Sequence, residues 1–543
     1  MPGSIAARAN LIGITSTRTG PLLKSESFVY NGNDRLIQRT DRKNQITTFG
    51  YDALDRRISA LYADASTTNW TWDAGNRVTQ IVDSLSGTIT RSFDGLDRLS
   101  YEITPQGRVD YSYDAASRRT GLTVLGQSTI GYGYDNANRL TQVTQGTSTV
   151  TIGYDGVNRR TSLTLANGVV LNYAYDNANQ LTEISYQLGA STLGDLTYSY
   201  DAAGRRTAMG GSFARTSSPS AMSSATYDAA NRLSNWNGTA YSYDDNGNLL
   251  SDGTRSYSWD ARDRLVGLSG GASGSFTYDA LGRRTSKTVS GITTKFVYDG
   301  VNVVQEQNGS GAVMANLVPS GNIDELLSRT DAAGVRYPLP DALGSVLELT
   351  DATGVLKTHY TYEPYGETSA TGEGNTSSYQ YTGRENDNTG LYYYRARYYL
   401  PAAKRFVSED PIGLAGGINR YQYVRGKPVS RTDPLGLFDI STTQLGPIDT
   451  SPSVIEPQVR EAYEKWREAE FDRCLSKCFL DFVVPGVPDV AEIAASKSSR
   501  APVRAAGKAI GVIGKPIGAA DLAEGATACY EKRPPAWPYL PIY

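Results

Sequence analysis

A single histidine, His359, serves the whole 543-residue chain. Ser-His-Asp and Cys-His nucleophile systems, HExxH zinc sites, HxE deaminase signatures and HNH-type nucleases all need histidines that this chain does not hold. Any chemistry therefore falls to carboxylates. Cysteine is nearly as scarce: Cys474, Cys478 and Cys529 are the only three, all beyond residue 437, so the first 437 residues need neither a disulfide nor a thiolate-bound metal. No stretch offers the roughly 18 uncharged apolar residues of a transmembrane helix. The start, "MPGSIAARANLIGITSTRTG", lacks an apolar run behind a basic head, so no classical signal peptide is read. An excess of one charge is missing too: 53 Lys and Arg face 56 Asp and Glu, a net charge of -3, which argues against sequence-wide attraction to nucleic acid or an anionic membrane. No nucleic-acid partner, cofactor or metal is expected.

What is abundant is tyrosine, 37 residues against 11 Phe, together with 55 Gly. That mixture suits aromatic strands joined by glycine turns. The tyrosines recur in a phrase, aromatic-Asp-x-x-(Asn, Asp or Gly)-Arg. It reads "YDALDR" at Tyr51, "WDAGNR" at Trp72, "FDGLDR" at Phe93, "YDAASR" at Tyr113, "YDNANR" at Tyr134 and "YDGVNR" at Tyr154, and continues through Tyr175, Tyr200, Tyr227, Tyr243, Trp259, Tyr278 and Tyr298. An outlying copy begins at Tyr30, and spacings are mostly 20 or 21 residues.

Each copy reads as one β-hairpin. Ahead of the Asp, apolar and polar residues alternate, as in Val109-Tyr111-Tyr113 and Leu171-Tyr173-Tyr175, the period of a half-buried strand. The Asp starts a type I turn by accepting backbone N–H groups. Four residues after the aromatic stands a residue that tolerates positive φ, with Ser117 the exception. A type I turn closed by a left-handed residue is a common hairpin connection, and the Arg opens the return strand. One hairpin is marginal in water, so many side by side bury a continuous face. The expected product is all-β: a long, spiralling antiparallel sheet of hairpins, with the tyrosines architectural or, in a minority reading, stacking on carbohydrate.

These copies resemble the YD repeats of the RHS family, which includes RHS toxins, the C component of Tc toxins and the teneurins. The resemblance covers roughly residues 26–437. It implies a β-cocoon, not necessarily closed, around a cargo. It also divides the chain: an N-terminal segment 1–25, a repeat array 26–305, an RHS repeat-associated core domain 306–437, and a variable C-terminal region 438–543. The core phrases run from "NIDELLSRT" through "YPLPDALGSVLELTDATGVLKTHYTYEPYGE" to "YYYRARYYLPAAKRFVSEDPIGL". Pro340 and Asp341 stand where many relatives carry His-x-Asp.

In such relatives the core resembles an aspartyl protease that cuts its own chain once. Carried over by motif, Asp410 and Asp433, from two Asp-Pro-x-Gly-Leu phrases, form the carboxylate pair. Arg397 is the supporting cation, with Arg395 and Arg405 as neighbours able to substitute, and the scissile bond is Leu437–Phe438. The chemistry is coherent on its own terms, since peptide hydrolysis by two carboxyls needs one ionised and one protonated, a division that close like charges enforce. Read by spacing alone, both phrases are equally ordinary turns. Glu409 is read as a solvated neighbour, and His359 as a packing or hydrogen-bonding residue.

After Phe438 the repeat grammar stops. "PQVREAYEKWREAEFDRCLSKCFLDF" has helical spacing, and a small helical C-terminal segment is expected, with an Ala- and Gly-rich stretch and a proline-rich end behind it. This region holds 12 Lys and Arg against 14 Asp and Glu and no histidine. Its cysteines are readable as packing thiols, a disulfide or a poor metal site. The resemblance makes the region a cargo, implies a delivery module and an immunity protein as partners, and implies export to the cell surface or beyond. A carbohydrate-binding surface protein and an inert truncated relic are the alternatives.

Overall fold

The Tyr-Asp phrase closes hairpins of one geometry from Tyr30 to Tyr278 in a computed structural model that describes residues 15–441, while the last copy, at Tyr298, turns through two residues between Asp299 and Asn302. In the copy at Tyr154, strand Ser148–Tyr154 turns through Asp155 to Asn158 and returns as Arg160–Thr164. The Asp155 N–H donates to Arg159 O at 2.9 Å, and the Asn158 N–H donates to Asp155 O at 3.2 Å, with Asn158 at φ +70°. One carboxylate oxygen of Asp155 accepts the N–H groups of Val157 (3.0 Å) and Arg159 (2.9 Å), while the other takes Arg159 Nε at 2.6 Å. The equivalent positions Asp55, Asn76, Asp97, Asn138 and Asn179, and Ser117 with them, all have positive φ, so the turn chemistry selected from sequence is the one used.

The Arg and the aromatic ring then tie one hairpin to the next. Arg139 Nη1 reaches forward to Asp155 O and Asn158 Oδ1, both at 3.0 Å, while its guanidinium lies 4.9 Å from the Tyr154 ring centre. Tyr154 Oη reaches back to donate to Leu140 O at 2.9 Å. Tyr51, Tyr113, Tyr134, Tyr175 and Tyr200 make the same backward bond, and Trp72 makes it through its indole N–H. The overuse of Tyr over Phe thus has a cause: the ring fills the sheet face and the hydroxyl satisfies a strand carbonyl, worth about 1 kcal/mol per bond. Two copies interrupt the run. Gln180 stands where Arg would, and Arg205, its side chain 76% exposed, bonds only its own Asp201 among the described residues.

Strands Thr15–Thr19 to Arg206–Gly210 build a 19-stranded sheet, every strand paired antiparallel with its sequence neighbours. After a break spanning residues 211–224 and a small three-stranded sheet, a 14-stranded meander runs from Ser242–Tyr243 to Thr368–Gly372. It continues through residue 305 and on past Pro319 without interruption, so the boundary expected between the repeat array and the core domain does not break the wall. The second sheet retraces the first. Asp83 pairs with Arg262, Glu102 with Arg283, Arg119 with Asp299, Arg160 with Glu325, and Tyr186 Oη with Pro340 O. Partners rise together along both arrays, their separation holding at 179 to 181 residues over the first three pairs and then falling through 165 to 154. That is the geometry of a spiral whose turns lie against each other.

The wall closes on a plug. A four-stranded sheet of Glu385–Asn386, Tyr392–Tyr394, Arg397–Leu400 and Arg405–Phe406 sits against both arrays. Its inner rings, Tyr394, Tyr399 and Phe406, contact each other and Tyr423 of the following segment edge-on or tilted, with Tyr399 and Tyr423 at 4.4 Å. Arg284 from the wall, fully buried, bonds Asp387 and Glu385 of the plug. The expected C-terminal helix, the Ala- and Gly-rich stretch and Cys474, Cys478 and Cys529 lie outside the described residues.

The turn aspartate carries a test of this architecture. Asp155→Ala removes the carboxylate oxygen that accepts two backbone N–H groups and, with the other oxygen, the Arg159 anchor, losses of the kind seen at caps and charged hydrogen bonds. Amide exchange measured by mass spectrometry is expected to accelerate on the order of 30-fold in the hairpin of residues 148–164 and to change little in distant hairpins, because the bonds of this turn reach only the adjacent hairpins.

Candidate active site

The turn between two plug strands, Tyr394 to Arg397, grips the boundary motif. Arg395 Nη1 donates to Pro434 O, the Ala396 N–H to Leu435 O at 3.1 Å, and Arg397 Nε to Gly436 O. Three successive carbonyls are thus captured by three successive residues. Gly436, at φ +68°, lies so close to Tyr394 O that a side chain has no room. Leu435 and Leu437, 3% and 4% exposed, fill an apolar pocket with Val301, Ile323 and Ile412. The short Pro-Leu-Gly-Leu run is held in a fixed register like a bound peptide.

Around this segment the two acids meet at one cation. Arg397 Nη2 lies 2.9 Å from Asp410 Oδ2 and 3.3 Å from Asp433 Oδ2, and Arg397 Nη1 donates to Arg420 O at 2.9 Å. All three side chains are buried. Asp433 Oδ1 accepts the N–H of Leu437 at 2.9 Å and of Phe438 at 3.2 Å, so this carboxylate touches the nitrogen of the Leu437–Phe438 bond. Asp410 approaches the same bond from the carbonyl side. A methyl group on Gly416 would overlap Asp410 Oδ2 and lie 2.7 Å from Leu437 O. Those two oxygens therefore flank one small space that only glycine leaves open.

Burial in this apolar surround pushes both carboxyls up, Asp410 to about 7 and Asp433 to about 6, against the lowering effect of Arg397. Asp433 is the more easily ionised because two backbone N–H groups favour its charged form. Asp410 keeps its proton longer, with the charge of Asp433 adding to its burial. Close and coupled, the two acids titrate as a pair. The site opens on a cavity of about 1030 Å³, lined among others by Arg42, Arg262, Tyr298, Leu414 and Arg420.

The structure thus brings Asp410, Asp433, Arg397, Leu437 and Phe438 together. Of the alternative cations, Arg395 serves the boundary carbonyls and Asp324, and Arg405 bonds Asn231 O and faces Tyr227 and Tyr421, away from the acids. Glu409 corrects the sequence reading. It is not a solvated neighbour: its side chain is 13% exposed and bonds Arg42 through both oxygens, at 3.0 and 2.9 Å, and Arg420 at 2.9 Å. Arg42, which binds both of its oxygens, lies 367 residues upstream, where no local signal announces it. Gly416 was missed as well, although the Gly-Gly pair between the two acids was a visible mark. His359 hydrogen-bonds Glu348 on the neighbouring strand, far from this chemistry.

Two family models match the chain: Teneurin YD-shell over residues 166–411 and RHS Repeat over residues 30–67. The chain belongs to the RHS/YD-repeat family. Among RHS/YD proteins, the tRNA3(Ser)-specific nuclease WapA of Bacillus spizizenii is 34% identical over 226 residues, which are 39% of this chain and 10% of WapA. The toxin protein Tse5 of Pseudomonas aeruginosa is 31% identical over 257 residues, 39% of this chain and 20% of Tse5. The chain spans a tenth to a fifth of the length of these relatives. The crystal structure of TcdB2-TccC3 without its hypervariable C-terminal region matches at a TM-score of 0.62 and 18% identity, covering 78% of this chain and 28% of that one, a likeness of RHS shell fold.

Proposed function

We propose that this RHS shell cleaves its own chain once, between Leu437 and Phe438, and so separates a C-terminal cargo beginning at Phe438. The observation that carries the reading is the bracketing of one peptide bond: Asp433 touches its nitrogen, Asp410 shares a gap with its carbonyl oxygen, and Arg397 joins the two acids.

The roles follow from the electrostatics. Ionised Asp433 takes a proton from water as the water oxygen bonds to the Leu437 carbonyl carbon. Protonated Asp410 gives its proton to the carbonyl oxygen, forming a neutral diol. Asp433 then passes its proton to the Phe438 nitrogen as that nitrogen turns pyramidal and the C–N bond breaks. Asp410 recovers a proton from the diol, leaving a carboxylic acid on Leu437. Water is the one co-reactant, and the two acids end as they began. Such positioned proton transfers contribute about 10²–10⁴-fold each. Both products start in place, so the reaction turns over once per chain.

This mechanism needs the pair singly protonated. Cleavage is expected to be fastest between pH 6 and pH 7, the range bounded by the two carboxyls, and to fall about tenfold per pH unit on either side. Chain purified at pH 9 and shifted across a pH series, with intact mass measured over time, reads this directly. A flat profile, or fragments split anywhere but after Leu437, overturns the reading.

As a member of a family with toxin relatives, the chain fits the shell of a polymorphic toxin delivered outside its cell, with an immunity protein guarding the producer. Expression of residues 438–543 alone, scored for bacterial growth, tests whether the cargo is toxic. The carbohydrate-binding alternative gains nothing from the repeat rings, whose faces carry guanidinium groups at Tyr113, Tyr134, Tyr154 and Tyr175.

A further inference from the structure

Glu409 stands one residue before Asp410 and bonds a residue from the opposite end of the described chain. Arg42 lies in the turn between strands Leu36–Thr40 and Ile46–Tyr51, in the early hairpins of the first sheet. Its guanidinium grips Glu409 through two donors and also donates to Asn246 O, while its own N–H donates to Asn246 Oδ1 at 3.1 Å. The turn containing Asn246 belongs to the start of the second sheet, and Tyr421 of the plug closes the junction by donating to Gly247 O at 2.8 Å. Packing there is tight: a methyl group on Gly247 would overlap Tyr421 Oη and lie 2.8 Å from Glu409 Cγ.

The junction connects to the acids through two short bridges. Arg420, bonded to Glu409 at 2.9 Å, gives its carbonyl oxygen to the Asp410 N–H at 3.0 Å and to Arg397 Nη1 at 2.9 Å. The backbone of Asp410 and the guanidinium of Arg397 are thus both hung on the residue that Glu409 holds. The bonds of Arg420 lie within the plug, but those of Arg42 to Glu409 and Asn246, and of Tyr421 to Gly247, form only when the first hairpins, the start of the second sheet and the plug are wound together.

We propose that the Arg42–Glu409 ion pair is a closure sensor that sets Asp410 in its cleaving position only when the N-terminal hairpins have docked on the plug, so that self-cleavage marks a completed shell. Arg42, Glu409 and Arg420 are positioning residues, and the proposal rests on the self-cleavage reading above. A displacement of about 1 Å at a reacting group costs on the order of 100-fold in rate, which is the size of effect such a sensor commands.

The test compares full-length wild type, Arg42→Ala, Arg42→Lys, Glu409→Gln and Asp433→Asn by intact mass over time, with hydrogen exchange of the second sheet as the measure of folding. Arg42→Ala and Glu409→Gln are expected to cleave at least tenfold more slowly than wild type with exchange in the second sheet unchanged, and Arg42→Lys to recover most of the rate. Glu409→Gln also leaves the Arg420 cation uncompensated beside Asp410, which is otherwise faced by Arg397 and Asp433. Its rate profile is therefore expected to lose its high-pH side at lower pH than wild type, a change that mere loosening would not produce. Wild-type rates and profile in both Arg42→Ala and Glu409→Gln, alongside an inert Asp433→Asn, would remove the sensor and leave the self-cleavage reading standing. Should Arg42→Ala fail to fold, the Glu409→Gln profile decides. A wild-type chain that never cleaves sinks the underlying reading instead.

Discussion

Replacing Asp433 by asparagine is expected to give one intact chain where the wild type gives two fragments, with cleavage slowed on the order of 10⁴-fold. The asparagine side chain has nearly the same shape and its amide oxygen still accepts the N–H groups of Leu437 and Phe438, so the boundary segment keeps its place. What the variant loses is the ability to take a proton from water and later hand one to the leaving nitrogen, two steps assigned to one carboxyl. Asp410→Asn is expected to be nearly as severe, because it removes the proton donor to the carbonyl. Denaturing gels and intact mass decide both, and cleavage by Asp433→Asn near the wild-type rate would return the two Asp-Pro phrases to ordinary turns.

The same substitution has a consequence for stability whose sign is fixed. A carboxyl raised in the folded state binds its proton more tightly there than in the unfolded chain, so its folded form is favoured at low pH. That advantage is lost as pH rises from the ordinary carboxylate value, near 4, through about 6 to 7. Removing Asp433 therefore relieves a cost present above pH 7 and absent near pH 4.

Gly416→Ala is the second large effect, and its cause is space alone. Gly416 has ordinary helical angles, φ -75° and ψ -16°, so alanine is no strain on the backbone. Its methyl group, however, would enter the gap between Asp410 Oδ2 and Leu437 O. One of the two must retreat by about 1 Å, which is expected to slow cleavage at least 100-fold while the shell stays folded. This variant also supplies an uncleaved chain with both acids present. Melted against it, Asp433→Asn is expected to show a stability advantage at pH 8 that shrinks at pH 5. A Gly416→Ala chain that cuts at the wild-type rate would show that Asp410 does not approach the bond from that side.

The wall was legible because each hairpin is decided within six residues. Asp155 makes the turn, Asn158 accepts the left-handed conformation and Arg159 closes it, and none of this needs a neighbour. What joins hairpins was not legible: the forward reach of Arg139 and the backward reach of the Tyr154 hydroxyl depend on where adjacent turns lie. The site divides the same way. Asp410, Asp433 and Arg397 followed from resemblance, since spacing alone left turns and catalysis open. Glu409 was misread because an acid beside another acid looks solvated until a cation arrives from 367 residues away. Gly416 matters for what it lacks: the Gly-Gly pair marked the place, but the space its missing side chain leaves open is known only with the surroundings.

The clamps that bind successive hairpins all lean the same way, and at Arg205 the last of the first run has no further hairpin to hold among the described residues. A wall fastened like overlapping shingles resists tearing along most of its length but has two unpinned courses, at Gln180 and Arg205. Load applied to such a shell would concentrate at those two courses, so opening would begin as a local rip there rather than as a loosening everywhere.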